Sequence, residues 1–155
     1  MPPLYSGVVR LPQQPTTILV VEDEQTPRRE VCRKLRALGY GVREASDGAD
    51  ALRVLQQHPR EIDLLLVDAV MPVFNGVRLA EHVLASPRGP ALLLVSDYPR
   101  SDVARMLGPL PDVPFLRRPF TTESLFRAVR EALAPRQLPA NAYHTAVRSS
   151  LLTGT

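Results

Sequence analysis

Tryptophan is absent from this 155-residue chain, and cysteine and lysine occur once each, as Cys32 and Lys34. A lone cysteine closes no internal disulfide, and Cys32 falls on an apolar helix face, where it reads as a small buried hydrophobe. Tyr5, Tyr40, Tyr98 and Tyr143 are too dispersed to build a stacking platform for single-stranded nucleic acid. Long apolar runs are missing as well. Leu64-Leu65-Leu66-Val67 and Ala91-Leu92-Leu93-Leu94-Val95 fall far short of the ~18 apolar residues a membrane span needs. Residues 1–15 carry four prolines and lack a basic start followed by an apolar block, so they do not resemble a secretory signal. These absences predict a cytoplasmic protein with no membrane partner. Clustered positive charge is also lacking. The 18 arginines come as nothing longer than pairs such as Arg28-Arg29 and Arg117-Arg118, and the formal net charge is +3. A nucleic-acid surface wants a clustered basic stripe, so no nucleic-acid partner is expected.

What is present is an alternation of short aliphatic runs and segments of helical period over residues 16–134, the pattern of βα units around a parallel sheet. Five runs predict strands: Thr17 to Val21, Gly41 to Ala45, Asp63 to Val67, Ala91 to Ser96 and Val113 to Arg117. The third and fourth are almost wholly aliphatic, as strands buried on both faces are. Apolar spacings of three and four predict helices over about Thr26 to Leu38, from an Asp47 cap to His58, Gly76 to Ala85, Arg100 to Leu107, and from a Thr121 cap to Ala134. Right-handed crossovers between parallel strands place helices on both faces, which gives a three-layer α/β/α sandwich in one domain. Residues 1–15 form an N-terminal extension and 135–155 a C-terminal tail. A modest patch from Tyr143 to Leu152 within that tail is either disordered or a short docking helix.

In an open sheet of this kind, ligands bind beyond the carboxyl ends of the strands. Glu22-Asp23-Glu24 follows the first strand, Asp68 the third, Ser96-Asp97 the fourth and Arg118-Pro119-Phe120 the fifth. Each has a bland explanation alone, as a solvated loop acid, a turn former, a cap or a surface charge. The strand layout instead gathers them on one edge. Bringing three carboxylates together costs about 4 kcal/mol per pair at 4 Å and an effective dielectric of 20. One arginine offsets only part of that, so the arrangement favours a hard divalent cation, Mg2+ above all. A hydroxyl and a guanidinium opposite the metal suit an anion with phosphoryl oxygens. The implied chemistry is phosphoryl transfer to a carboxylate. Other sites are missing: there is no nucleophile elbow, P-loop or dinucleotide fingerprint. His58, His82 and His144 have no metal-like pairing. A flavin binder of the same topology would leave the acidic edge unexplained.

The segments Ile18-Leu19-Val20-Val21-Glu22-Asp23-Glu24, Asp63-Leu64-Leu65-Leu66-Val67-Asp68-Ala69-Val70-Met71-Pro72 and Phe115-Leu116-Arg117-Arg118-Pro119-Phe120 resemble, in order and spacing, the receiver domain of two-component response regulators. The stretch from Ser96-Asp97-Tyr98 to Pro114-Phe115-Leu116 is similar to receivers at the ends of hybrid histidine kinases. The resemblance implies a flavodoxin-like five-stranded parallel sheet in the order 2-1-3-4-5. It implies that Asp68 is the phosphoacceptor, taking a phosphoryl group from a sensor histidine kinase or phosphotransfer protein. Glu22, Asp23, Asp68 and the backbone carbonyl of Val70 would hold Mg2+. Ser96 and Arg118 would contact the phosphoryl group, and Ser96 and Phe115 would form the switch pair. The output face would be the fourth helix, fifth strand and fifth helix, contacting a downstream protein or a second copy in a homodimer. The bond before Pro119 would be cis.

Two positions depart from that pattern. Receivers usually carry Lys where this chain has Arg118, which keeps the charge but changes reach and fork geometry. They also favour a small residue where Asp97 follows Ser96, and an acid there narrows access, repels a phosphoryl donor or points to solvent. The expectation is a phosphorylation-dependent switch that catalyses its own phosphorylation and slow dephosphorylation without being a turnover enzyme. Its rival is a pseudo-receiver, a constitutive protein-binding module in which Arg118 and Asp97 have abolished phosphorylation.

Overall fold

The computed structural model describes residues 15–134. Residues 1–14 of the N-terminal extension and the C-terminal tail 135–155, with its patch from Tyr143 to Leu152, lie outside the described residues. Five strands and five helices alternate: β1 Thr17–Val21, α1 Gln25–Ala37, β2 Gly41–Ala45, α2 Gly48–Gln57, β3 Leu64–Asp68, α3 Gly76–Leu84, β4 Ala91–Ser96, α4 Arg100–Leu107, β5 Phe115–Arg117 and α5 Thr122–Leu133. The strands form one parallel sheet in the order β2-β1-β3-β4-β5. Among the described residues no helix is long and apolar enough to cross a membrane.

Side chains alternate across a strand, and here each face meets its own layer of helices. Ile18, Val20, Leu64, Leu66, Leu93 and Val95 face α1 and α5, where Val31, Cys32, Leu35, Leu125 and Val129 cover them. Leu19, Val21, Leu65, Val67, Leu92 and Leu94 face the other way, onto Ala51 and Val54 of α2, Val77, Ala80 and Val83 of α3, and Val103 of α4. Every residue of β3 is buried, which is why its sequence is aliphatic without alternation. Cys32 is fully buried in the first of these layers, and burial pushes its thiol up to about 11, so it is protonated at neutral pH.

Two expected strands have other bounds. β3 runs through Asp68, so that carboxylate belongs to the last strand residue and shares the rigidity of the sheet. β5 begins at Phe115, two residues later than the apolar pattern predicts. Pro114 has no N–H to extend the ladder; its carbonyl accepts from Leu94 N, and Val113 N turns back to the Pro111 carbonyl. The expected caps are present: Asp47 accepts from Asp50 N at 2.7 Å and Thr121 Oγ1 from Ser124 N at 3.0 Å.

Candidate functional site

The carboxyl ends of β1, β3, β4 and β5 bring the expected residues to one edge. β1 and β3 are adjacent, with Val21 opposite Val67, so Glu22 and Asp23 leave the sheet beside Asp68. One carboxylate oxygen from each of Glu22, Asp23 and Asp68 lies within 4.8 Å of the others. Among the described residues this is the group of His, Cys, Asp and Glu side chains placed closely enough to share an ion. Glu22 and Asp68 are buried, whereas Asp23 is exposed.

Hydrogen bonds orient these acids from several elements. Val70 N donates to Asp68 Oδ1 at 2.9 Å, and Glu24 N donates to Glu22 Oε1 at 3.1 Å. Arg118, the residue after β5, donates through Nη2 to Glu22 Oε2 and places Nη1 3.4 Å from Asp68 Oδ2. The Arg118–Pro119 peptide bond is cis, as the resemblance implies. Asp97 faces the same guanidinium, its Oδ1 3.7 Å from Arg118 Nη1, while its side chain stays 72% exposed. The acid after Ser96 therefore neither points away from the site nor enters the carboxylate cluster. It flanks the arginine from the solvent side.

The electrostatics follow from this crowding. Burial, then Asp68 beside it, raises the Glu22 carboxyl from 4.5 to about 8, although Arg118 pulls the other way. For Arg118, burial opposes the charge, but Glu22, Asp68 and Asp97 outweigh it and hold the guanidinium protonated. Two carboxyls crowded beside a single arginine thus form a set of hard oxygen donors on which a proton, held by Glu22 at neutral pH, stands where a cation would displace it. That donor set fits a small divalent cation such as Mg2+, which takes carboxylate and carbonyl oxygens and keeps several waters.

Ser96 is fully buried at the end of β4. Asp68 pairs with Val95 across the sheet, so Ser96 lies one residue further along the adjacent strand. Its Oγ accepts from Tyr98 N at 3.1 Å, which leaves the hydroxyl proton free to donate. Phe115 opens β5 half-buried, with the Arg100 guanidinium 5.9 Å from its ring centre. It lies at the opposite end of β5 from Arg118 and packs against the core on the α2, α3 and α4 side. A cavity of about 270 Å³ opens beside the site between α1 and the β5–α5 connection, lined by Pro27, Val31, Lys34, Asp97, Arg118 and Phe120.

Sequence reasoning missed Arg28. Its Nη1 donates to the Glu22 carbonyl at 2.8 Å and its Nε lies 3.3 Å from Glu44 Oε1, so it ties the acidic loop to α1 and β2. No spacing distinguishes it from its neighbour Arg29, which is exposed. Gly76 was legible as a helix start, but its closeness to Asp68 was not. A Cβ there would lie 1.9 Å from the Asp68 carbonyl oxygen.

Comparison with known proteins bears on the same segment. Residues 18–130 match the family described as the response regulator receiver domain. The chain is 33% identical over 117 residues to the sensor kinase CckA of Brucella abortus, a match covering 76% of this chain and 12% of the kinase. It is 31% identical over 119 residues to the transcription factor SKN7 of Chaetomium thermophilum, covering 76% of this chain and 15% of that protein. The chain thus spans less than a sixth of the length of either relative. Among solved structures, the receiver domain of the hybrid histidine kinase CckA is 32% identical with a TM-score of 0.61, covering 76% of this chain and 99% of that one. A receiver domain protein from Clostridium thermocellum, 23% identical with a TM-score of 0.64, shares the fold over 89% of this chain and 99% of its own. Because the family match, the 2-1-3-4-5 strand order and the acid-lined edge all fall on the same stretch, the chain belongs to the response regulator receiver domains of two-component systems.

Proposed function

We propose that this receiver is a phosphorylation-dependent switch in which Asp68 accepts a phosphoryl group in the presence of Mg2+. The donor is a phosphohistidine on a sensor histidine kinase or phosphotransfer protein. The response is a changed protein-contact face built from α4, β5 and α5. The observation that carries this reading is the setting of Asp68. It ends the central strand, one oxygen is held by Val70 N–H, and the other faces the Arg118 guanidinium at 3.4 Å.

In the transfer, an Asp68 carboxylate oxygen attacks phosphorus while the P–N bond of the donor breaks and its electron pair returns to the imidazole nitrogen. Catalysis is then mostly positioning and charge compensation. Mg2+, held by Glu22, Asp23, Asp68 and the Val70 carbonyl, would supply positive charge against the phosphoryl oxygens. Arg118 keeps its charge throughout and donates to the same oxygens. Ser96 donates its hydroxyl proton to the phosphoryl group, and Phe115 moves inward as Ser96 is drawn across. The chain would act in the cytoplasm, catalysing its own modification and slow hydrolysis rather than turning over a substrate. A homodimer through the α4–β5–α5 face belongs to the same proposal.

One observation favours the rival reading, a constitutive pseudo-receiver: Arg118 is already engaged by Glu22 and flanked by Asp97. Incubation with a small acyl phosphate and Mg2+, followed by intact-mass spectrometry, separates the two. The switch gains one phosphoryl group, and Asp68→Asn does not. A well-folded but unmodified wild-type chain establishes the pseudo-receiver.

A further inference from the structure

Arg118 is shared among three acids. Nη2 engages Glu22, while Nη1 lies 3.4 Å from Asp68 and 3.7 Å from Asp97. The side chain is only 15% exposed, and its Nε is the buried side-chain polar atom left without a hydrogen-bond partner among the described residues. A guanidinium is a rigid fork of five donors, so the two Nη contacts to Glu22 and Asp68 dictate where Nε must lie. The arginine is therefore committed to the acids at the expense of its own satisfaction.

Glu22 and Asp68 are also two of the three carboxylates that suit a divalent cation. Two cations within about 4 Å repel by several kcal/mol at an effective dielectric near 20. Glu22 Oε2 already accepts from Arg118 Nη2 and Oε1 from Glu24 N, so a cation that takes Glu22 must share an engaged oxygen, and its repulsion falls on the guanidinium. Asp97 offers the alternative seat. It lies on the Nη1 side, keeps most of its surface in water, and gains from a guanidinium that moves outward.

We infer that Arg118 is the internal counter-ion of the acid cluster and competes with the divalent cation for Glu22. Asp97 is the positioning residue that receives the guanidinium when the cation binds. The inference rests on the reading that this cluster takes Mg2+. It gives the two departures from the usual receiver pattern one joint role: together they set how tightly the site holds its metal.

Calorimetric titration of Mg2+ into the full chain tests this at fixed pH and ionic strength. The proteins are wild type, Arg118→Gln, Arg118→Lys, Asp97→Asn and the Arg118→Gln/Asp97→Asn double variant. Arg118→Gln should bind about tenfold more tightly than wild type, because the competing charge is gone. Asp97→Asn should bind several-fold more weakly. In the double variant the effect of Asp97→Asn should vanish, because it acts only through the arginine. If Arg118→Gln does not fold, Arg118→Lys carries the test. Its unforked ammonium should leave Glu22 more readily, so binding tightens relative to wild type. Equal or weaker binding in the folded Arg118 variants overturns the competition and leaves the metal site standing. An Asp97→Asn loss that persists in the double variant overturns the role of Asp97, since it would then report simple long-range attraction. Absence of binding in every variant overturns the inference together with the metal reading beneath it.

Discussion

At the scale of single residues, the site depends on atoms that touch the backbone as much as on the acids. Gly76 opens α3, and its N–H donates to the Ala69 carbonyl at 3.1 Å. An added Cβ would meet the Asp68 carbonyl oxygen at 1.9 Å and the carbonyl carbon at 2.8 Å, and neither atom belongs to a flexible side chain. Gly76→Ala must therefore push α3 away from the strand that carries Asp68. The expected cost is roughly 1–3 kcal/mol, as for overpacked cores, read as a lower denaturation midpoint, with weaker phosphoryl incorporation. Three residues earlier, Val73 adopts φ 68° and is fully exposed. A β-branched residue in the left-handed region is strained, so the loop between Asp68 and α3 is held by Met71 and Phe74 packed on the core rather than by local preference.

The elements differ in how firmly their own residues specify them. α5 carries a continuous inward stripe, Leu125, Ala128 and Val129, and its start is set by Thr121, whose Oγ1 accepts from Ser124 N. Thr121→Ala leaves that N–H without its partner. It should lower stability by about 1 kcal/mol in urea unfolding while leaving the acid cluster intact, because the cap lies on α5 and not at the strand ends. α1 has no such cap: Glu24 makes no side-chain bond to its first turn. Its start is tied to the site through Arg28, which bonds the Glu22 carbonyl and approaches Glu44 of β2. α4 and β5 are joined across their connection by Arg100, which donates to the carbonyls of Val113 and Pro111, both at 3.0 Å, and covers Phe115. The face proposed to respond to phosphorylation is thus held by side chain to backbone bonds more than by a long β-ladder.

For the molecule as a whole, the acidic edge makes stability depend on pH. Burial and Asp68 raise the Glu22 carboxyl in the folded chain from 4.5 to about 8. Between those values the folded state keeps a proton that the unfolded state has released. The metal-free protein therefore loses stability as pH rises through that window and levels off above it. Below 4.5 both states hold the proton and Glu22 contributes no slope. Urea midpoints measured from pH 5 to pH 8.5 should fall for the wild type. In Glu22→Gln the decline should be clearly smaller, since the titrating group is gone. Mg2+ in excess should flatten the wild-type curve as well, because metal binding displaces the proton and stabilises the folded state alone.

How much of this was legible beforehand depended on the range of the interaction involved. The α/β/α architecture follows from local patterns: aliphatic runs that alternate with helical periods, caps at Asp47 and Thr121, and strands β3 and β4 too apolar to face water. Strand order placed Glu22, Asp23, Asp68, Ser96 and Arg118 at one edge, and the structure brings Glu22, Asp23 and Asp68 together and sets Arg118 against Glu22 and Asp68. The early end of the aliphatic run hid that Asp68 is itself a strand residue, and Pro114 hid how short β5 is. Hydrophobic periodicity records which face a residue turns to the core. It carries no record of which distant charge a side chain meets, because that distance arises only when separate strands are laid side by side. The engagement of Arg118 by Glu22, the position of Asp97 at its flank, the bond from Arg28 to the acidic loop and the contact between Gly76 and Asp68 all belong to that second class, and only tertiary structure decided them.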